Sequence, residues 1–268
     1  MTSLAAGRPN TGASGNRREA VLSVRGLGHR FTRADGTMVT ALSDVSLDVA
    51  AGEFVCILGR SGHGKTTLLN LIAGFLPTER GEVRVLGRAV TGPGIDRGVI
   101  FQRDAVFPWM RVAGNVDFGL RMRGMKKAER DRIVAKYLGL VGLSSVAKAW
   151  PRELSGGMRA RVAIASVFAN DPPILLADEP FGALDYVTRR QLQVVLHDLW
   201  QSTGKTVLFV THDVDEAMML GTRVIVISNG AIAADCTIDL PMPRTDDVIA
   251  TENGLALKHV LLRHIGLE

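Results

Sequence analysis

Cysteine and aromatic side chains are scarce in this chain of 268 residues, which has only Cys56, Cys236 and 5% Phe, Trp and Tyr. Two cysteines with no Cys/His cluster at ligand spacing exclude a disulfide framework and a structural zinc site, and they fit a reduced, cytoplasmic setting. No uninterrupted apolar run reaches about 18 residues, so no membrane-spanning helix is expected. The first 20 residues carry Gly, Ser, Asn and Arg without an apolar core, which argues against a signal peptide and for a flexible tail. What is present is ample apolar content, 46%, enough for one large α/β domain or a domain with an inserted lobe.

The formal net charge of +5 is local. Residues 121–136 hold seven basic side chains (Arg121, Arg123, Lys126, Lys127, Arg130, Arg132, Lys136) against Glu129 and Asp131. Without interleaved aromatics for base stacking, this run reads as a solvated helix face rather than a nucleic-acid surface.

Strand signals fill residues 21–58. Val45, Leu47 and Val49 alternate with polar neighbours, a turn follows at Ala51-Gly52-Glu53, and residues 54–58 are a buried apolar strand. Residues 66–73 turn helical, with Gly74 as the stop. Residues 99–102 read as a further strand. A mainly helical stretch, residues 104–170, looks inserted into the α/β core. Strands resume at 174–177, 207–210 and 223–228, with a crossover helix carrying Leu192, Val195, Leu196 and Leu199 at helical spacing. Asn229-Gly230 between apolar runs predicts a tight hairpin. Residues 241–268 read as a short extension of helix and loops.

Three motifs carry chemistry. The first, Gly59-Arg60-Ser61-Gly62-His63-Gly64-Lys65-Thr66, follows a buried strand and opens a helix. Its glycines let backbone N–H groups converge on phosphate oxygens, Lys65 is placed for the β- and γ-phosphates, and Thr66 for Mg²⁺. The second, Ile174-Leu175-Leu176-Ala177-Asp178-Glu179, ends an apolar strand in two acids. Asp178 is expected to hold Mg²⁺ through water, and Glu179 to polarise the attacking water as general base. The third, Leu154-Ser155-Gly156-Gly157-Met158, precedes a helix read over residues 158–169. Its amides and helix dipole offer a second phosphate-binding surface, which one nucleotide cannot easily reach within the same subunit.

Together these motifs resemble the ATP-binding-cassette (ABC) ATPases over nearly residues 21–235. The resemblance implies a P-loop NTPase core of mixed sheet and flanking helices, an N-terminal antiparallel β part and an inserted helical lobe. ATP and Mg²⁺ are the implied ligands. It also implies that Gln102 is a Mg²⁺/water ligand sensing the γ-phosphate, that Asp185 communicates across a dimer, and that His212 contacts the γ-phosphate. Thr66-Thr67 stands where Lys-Ser-Thr is commoner and preserves the hydroxyl. Phe31 is either the aromatic that stacks on adenine or a core side chain. Phe107-Pro108-Trp109-Met110 lies where such ATPases meet a permease, with a buried lobe-anchoring Trp as the other reading.

Those strings, with Asn115-Val116-Asp117-Phe118-Gly119-Leu120 and residues 178–185, look like the nitrate/sulfonate/taurine importer branch. The implied assembly is a head-to-tail homodimer on the cytoplasmic face of the membrane, under a separate permease fed by a solute-binding protein. Direct nucleic-acid contact is not expected. A soluble ABC ATPase of ribosomes or DNA and an exporter subunit remain as alternatives.

Overall fold

The computed structural model describes residues 20–102 and 106–267. The expected N-terminal tail, apart from Ala20, and the start of the helical stretch at Asp104 lie outside the described residues.

Two sheets form the body. The smaller is antiparallel, in the order β2-β1-β4-β5, from β1 (Ala20–Thr32), β2 (Met38–Ala50), β4 (Arg80–Val85) and β5 (Arg88–Ala89). The larger has the order β10-β9-β3-β8-β7-β6. Its members are β3 (Phe54–Leu58), β6 (Arg97–Ile100), β7 (Ile174–Asp178), β8 (Thr206–Thr211), β9 (Arg223–Ser228) and β10 (Ala231–Thr237). Only β10 runs antiparallel in it, joined to β9 through Asn229 (φ 49°) and Gly230 (φ 75°), the two left-handed residues of the expected hairpin turn.

The central strands are apolar through their middles, with polar residues such as Asp178, Thr206 and Thr211 only at their ends, because both of their faces are covered. Phe54, Cys56, Leu58, Leu175, Ala177, Val207 and Phe209 enter one core with α4 (Gly156–Ala169), α5 (Tyr186–Thr203) and α6 (Val214–Leu220). Their neighbours Val55, Ile57, Ile174, Leu176, Leu208 and Val210 enter a second core, shared with α1 (Lys65–Ala73) and the inward face of the small sheet. Val45, Leu47 and Val49 lie in that second core, as their alternation predicts.

Two expected elements have boundaries that shift by two residues, and two strands are unexpected. The strand read at 99–102 spans Arg97–Ile100, and Phe101 and Gln102 have left the sheet for solvent. The helix read from Met158 starts two residues earlier, because Ser155 caps it and both glycines adopt helical geometry. Strands β4 and β5 have no counterpart in the periodicity, since Val83 and Val85 alone are too short an alternation to separate from a loop.

The helical region contains α2 (Val112–Met122), α3 (Lys127–Leu140) and α4, with 3₁₀ turns at Ser144–Val146 and Pro151–Glu153. The basic run occupies the end of α2 and the outer face of α3. Six of its seven cations are exposed, and the seventh, Arg130, is half-buried with its Nε 2.6 Å from Asp117. Beyond β10, the chain closes with α7 (Asp246–Ile249) and α8 (Glu252–Ile265). Among the described residues, no helix is long and apolar enough to cross a membrane.

Candidate active site

Parallel α/β sheets bind ligands beyond the carboxyl ends of their strands, and the sequence-predicted residues gather there. β3 runs into the glycine loop, β7 into Asp178 and Glu179, and β8 into Thr211 and His212. Gly64, the N-cap of α1, has φ 97°, and a Cβ there would stand 2.3 Å from the carbonyl oxygen of Ala41. Only glycine meets both constraints. Gly59 and Gly64 are buried, while Arg60, Ser61, Gly62 and Thr66 face solvent and His63 and Thr67 are half-buried. His63 Nδ1 accepts from the backbone N–H of Asn229 at 3.4 Å, tying the loop to the β9–β10 turn.

Lys65 is only 4% exposed, folded back so that Nζ donates to Gly59 O (2.8 Å) and Arg60 O (3.1 Å). Its Nζ also stands 3.7 Å from Glu179 Oε1. Burial lowers the Lys65 pKa below the ordinary lysine value, even though the charges of Glu179 and Asp178 pull the other way. An ammonium held this way gains from an incoming anion that replaces the hydration it has lost.

Across from it, Thr66 Oγ1 donates to Asp178 Oδ1 at 3.1 Å. Burial raises the Asp178 pKa; the Thr66 hydrogen bond works against this rise and the neighbouring Glu179 charge adds to it. Glu179 has a left-handed backbone (φ 42°), pinned where its N–H meets Val210 O at 3.0 Å. Non-glycine residues held there carry strain that clusters at functional sites. The twist turns its carboxylate between Lys65 Nζ and His212 Nδ1, the latter 3.0 Å from Oε2. Gln102 is exposed beside the same turn, its Nε2 3.3 Å from where a Gly182 Cβ would stand. Lys65, Thr66, Asp178, Glu179 and His212 therefore form one connected cluster, with Gln102 at its rim.

Ser155–Gly157 is not part of that cluster. Ser155 Oγ accepts from Met158 N (3.2 Å), so the serine caps its own helix. The first-turn N–H groups at Gly156 and Gly157 have no carbonyl a turn earlier to take them. The neighbours of these glycines are Leu184 and Thr188, a Cβ on Gly157 standing 2.4 Å from Thr188 Cγ2. Asp185 caps α5, Oδ1 accepting from Thr188 N at 3.0 Å, and those hydrogen bonds lower its pKa. Arg189 ties the same turn to the residue after His212, bonding Asp213 Oδ2 at 3.1 Å and Leu184 O at 3.3 Å.

Exposure bears on two aromatic positions. Phe31 is 42% exposed on β1, its ring edge-on to His29 at 4.6 Å, so the core reading fails. Trp109 is 67% exposed, so it is not a buried anchor. The anchor is Phe107, packed on Phe118 at 4.8 Å. Buried Asn115, which the motif reading leaves without a role, holds the loop: its Oδ1 accepts from Phe107 N (2.7 Å) and its Nδ2 donates to Phe107 O, Met110 O and Arg111 O. Trp109 thus projects at the mouth of a cleft of about 820 Å³ that Gln102, Phe101, Arg159 and Leu184 also line.

The pattern of the ABC transporter family matches residues 42–182. The taurine import ATP-binding protein of Roseobacter denitrificans is 49% identical over 207 residues, 77% of this chain and 77% of that protein. The nitrate import ATP-binding protein of a Synechocystis species is 47% identical over 222 residues, 82% and 83% of the two chains. An ATP-binding cassette solved as a dimer in a post-hydrolysis state with ADP and Pi superposes with TM-score 0.71 at 30% identity, over 81% of this chain and 98% of that one. With a phosphate loop, an acid pair and a capped Ser-Gly-Gly turn arranged as described, this chain belongs to the ABC transporter family and is one of its ATP-hydrolysing, ATP-binding subunits.

Proposed function

We propose that this chain energises import of a small anionic solute of the nitrate, sulfonate or taurine kind, as a head-to-tail pair of copies on the cytoplasmic face of the membrane beneath a separate permease. The cassette spans residues 21–240, its helical lobe about 104–170, and the extension 241–268. The observation carrying the paired arrangement is the separation of two phosphate-binding surfaces. Lys65 lies with Glu179 and His212, whereas Gly156 and Gly157 neighbour Leu184 and Thr188. ATP held by residues 59–67 of one copy then meets Ser155–Gly157 of the other, and Phe31 offers an exposed face to adenine.

Lys65 neutralises the β- and γ-phosphates, Glu179 takes a proton from the attacking water, and His212 holds that water and the γ-phosphate in line. Thr66 Oγ1 and Asp178 Oδ1, 3.1 Å apart, present the oxygen donors that Mg²⁺ prefers, with Gln102 at the rim. Held by these residues, Mg²⁺ would supply neutralisation of the phosphate charge. Loss of the γ-phosphate removes the bridge between copies, and Asp185 reports this across the dimer. The cleft behind exposed Trp109 receives the permease.

Affinity capture of the Glu179→Gln form from membranes tests the assembly. Recovery of an integral-membrane partner encoded with a solute-binding protein supports it, and that binding protein reveals the cargo. Recovery with ribosomes or DNA, free of any membrane protein, overturns it.

A further inference from the structure

Three polar side chains buried behind the active site have no role in the chemistry above. Gln193 on α5 is 4% exposed, Glu216 on α6 is 6% and Thr211 at the end of β8 is 2%. Gln193 Nε2 donates to Glu216 Oε1 at 3.2 Å, and Thr211 Oγ1 donates to Glu216 Oε2 at 2.5 Å. Among the described residues, no lysine or arginine forms a salt bridge with Glu216.

Burying a carboxylate and an amide where leucines would pack costs stability, so the network must specify geometry rather than strengthen the core. What it grips is the backbone around His212. Thr211 Oγ1 accepts from Asp213 N at 3.0 Å, and Asp213 Oδ1 accepts from Glu216 N at 3.1 Å. The His212 side chain is itself 53% exposed, its Nδ1 standing 3.0 Å from Glu179 Oε2. Its placement is therefore inherited from the residues on either side.

The outer end of the network reaches the C-terminal extension. Arg190 Nη1 donates to Gln193 Oε1 at 3.2 Å, and the same guanidinium pairs with Asp246, the first residue of α7. Tyr186 Oη donates to Asp246 Oδ2 at 3.3 Å. A cavity of about 380 Å³ lies between α5, α6 and the extension, with Arg190, Gln193 and Asp246 in its wall. Asp246 is 70% exposed, so this link sits where the extension can make or release it.

We propose that Gln193 and Glu216 are positioning residues for His212, and that Asp246, through Arg190, places their geometry under the control of the C-terminal extension. The proposal rests on the ATPase reading above. The test compares the full chain with Gln193→Leu, Asp246→Asn and Glu216→Gln, each also combined with His212→Ala. Hydrolysis is followed at steady state and in single turnovers, which resolve the slow His212→Ala reaction.

Gln193→Leu is expected to lower kcat about tenfold with KM for ATP within about twofold, inside the ~10²-fold range that ~1 Å of misplacement can cost. Asp246→Asn lowers kcat by about threefold, and Glu216→Gln, which can still accept from Thr211, stays within about threefold of the parent. On the His212→Ala background none of the three lowers the rate further, because the group they position is gone. Equal losses on both backgrounds, a loss carried by KM, or unchanged kcat in Gln193→Leu and Asp246→Asn overturns the proposal. Should Gln193→Leu not fold, surface Asp246→Asn decides alone. An unaltered chain that neither binds nor hydrolyses ATP defeats the ATPase reading, a result distinct from all of these.

Discussion

Replacing Gly157 by alanine puts two effects of opposite sign in competition. Alanine is the better helix former by up to about 1 kcal/mol, and Gly157 lies in the first turn of α4 with an ordinary backbone, so propensity alone predicts stabilisation. The new Cβ, however, would stand 2.4 Å from Thr188 Cγ2. Carbon atoms rest at about 3.5 Å or more, so the methyl must retreat by about 1.1 Å (3.5 less 2.4). Thr188 has little freedom to give: its χ1 is stiff, and its N–H is held by Asp185 Oδ1 at 3.0 Å.

Overpacking of this kind costs about 1–3 kcal/mol, which exceeds the helix gain. The expected net loss of about 1–2 kcal/mol lowers the thermal midpoint by roughly 2–6 °C in a chain of this size. Thr188→Ser removes only Cγ2 and keeps the backbone N–H that the Asp185 cap uses. The double variant should therefore recover the wild-type midpoint or exceed it, measured by circular dichroism or scanning calorimetry on nucleotide-free protein. A midpoint at or above wild type for Gly157→Ala alone, or a double variant no better than the single, refutes the packing argument.

Glu179→Gln should slow ATP hydrolysis by about 10² to 10⁴-fold and accumulate an ATP-bound dimer on size-exclusion chromatography; a near-normal rate rules out Glu179 as the base. Asp178→Asn should raise the midpoint of metal-free, nucleotide-free protein at pH 7. Burial lifts the Asp178 pKa above its ordinary 3.8, so ionisation costs stability as pH rises through the lifted value, and the advantage of the variant should shrink toward pH 4. The same variant should lose the stabilisation that Mg²⁺ with ATP confers, and a midpoint unchanged at pH 7 counts against the burial argument. Asn229→Val forces a β-branched side chain into a left-handed turn position and should cost about 1–2 kcal/mol in urea unfolding, while Asn229→Gly should be near neutral.

Much of the site was legible because its signals are local. The phosphate loop works through backbone N–H groups of consecutive residues, so its glycines, Lys65 and Thr66 must be contiguous. Asp178 and Glu179 ride the end of an apolar strand for the same reason. Gln193, Glu216 and Asn115 were invisible by the same logic. Each looks like an ordinary polar residue on a helix, and only packing shows that each is buried and what it grips. The two aromatic positions show the converse, since Phe31 and Trp109 are apolar enough for a core and only their place near the end of β1 and on a loop exposes them.

The sequence by itself determined the family, the strand–loop–helix unit that binds phosphate, the acid pair and the hairpin at Asn229-Gly230, because short-range backbone geometry and hydrophobic period dictate all of these. Tertiary structure alone decided how the parts join. Residues far apart in the chain (65, 179 and 212) converge because parallel strands place their carboxyl ends side by side. Ser155 stands elsewhere because its helix packs against α2, α3 and α5. Those placements come from burying both faces of one sheet, a many-body result that no local pattern encodes.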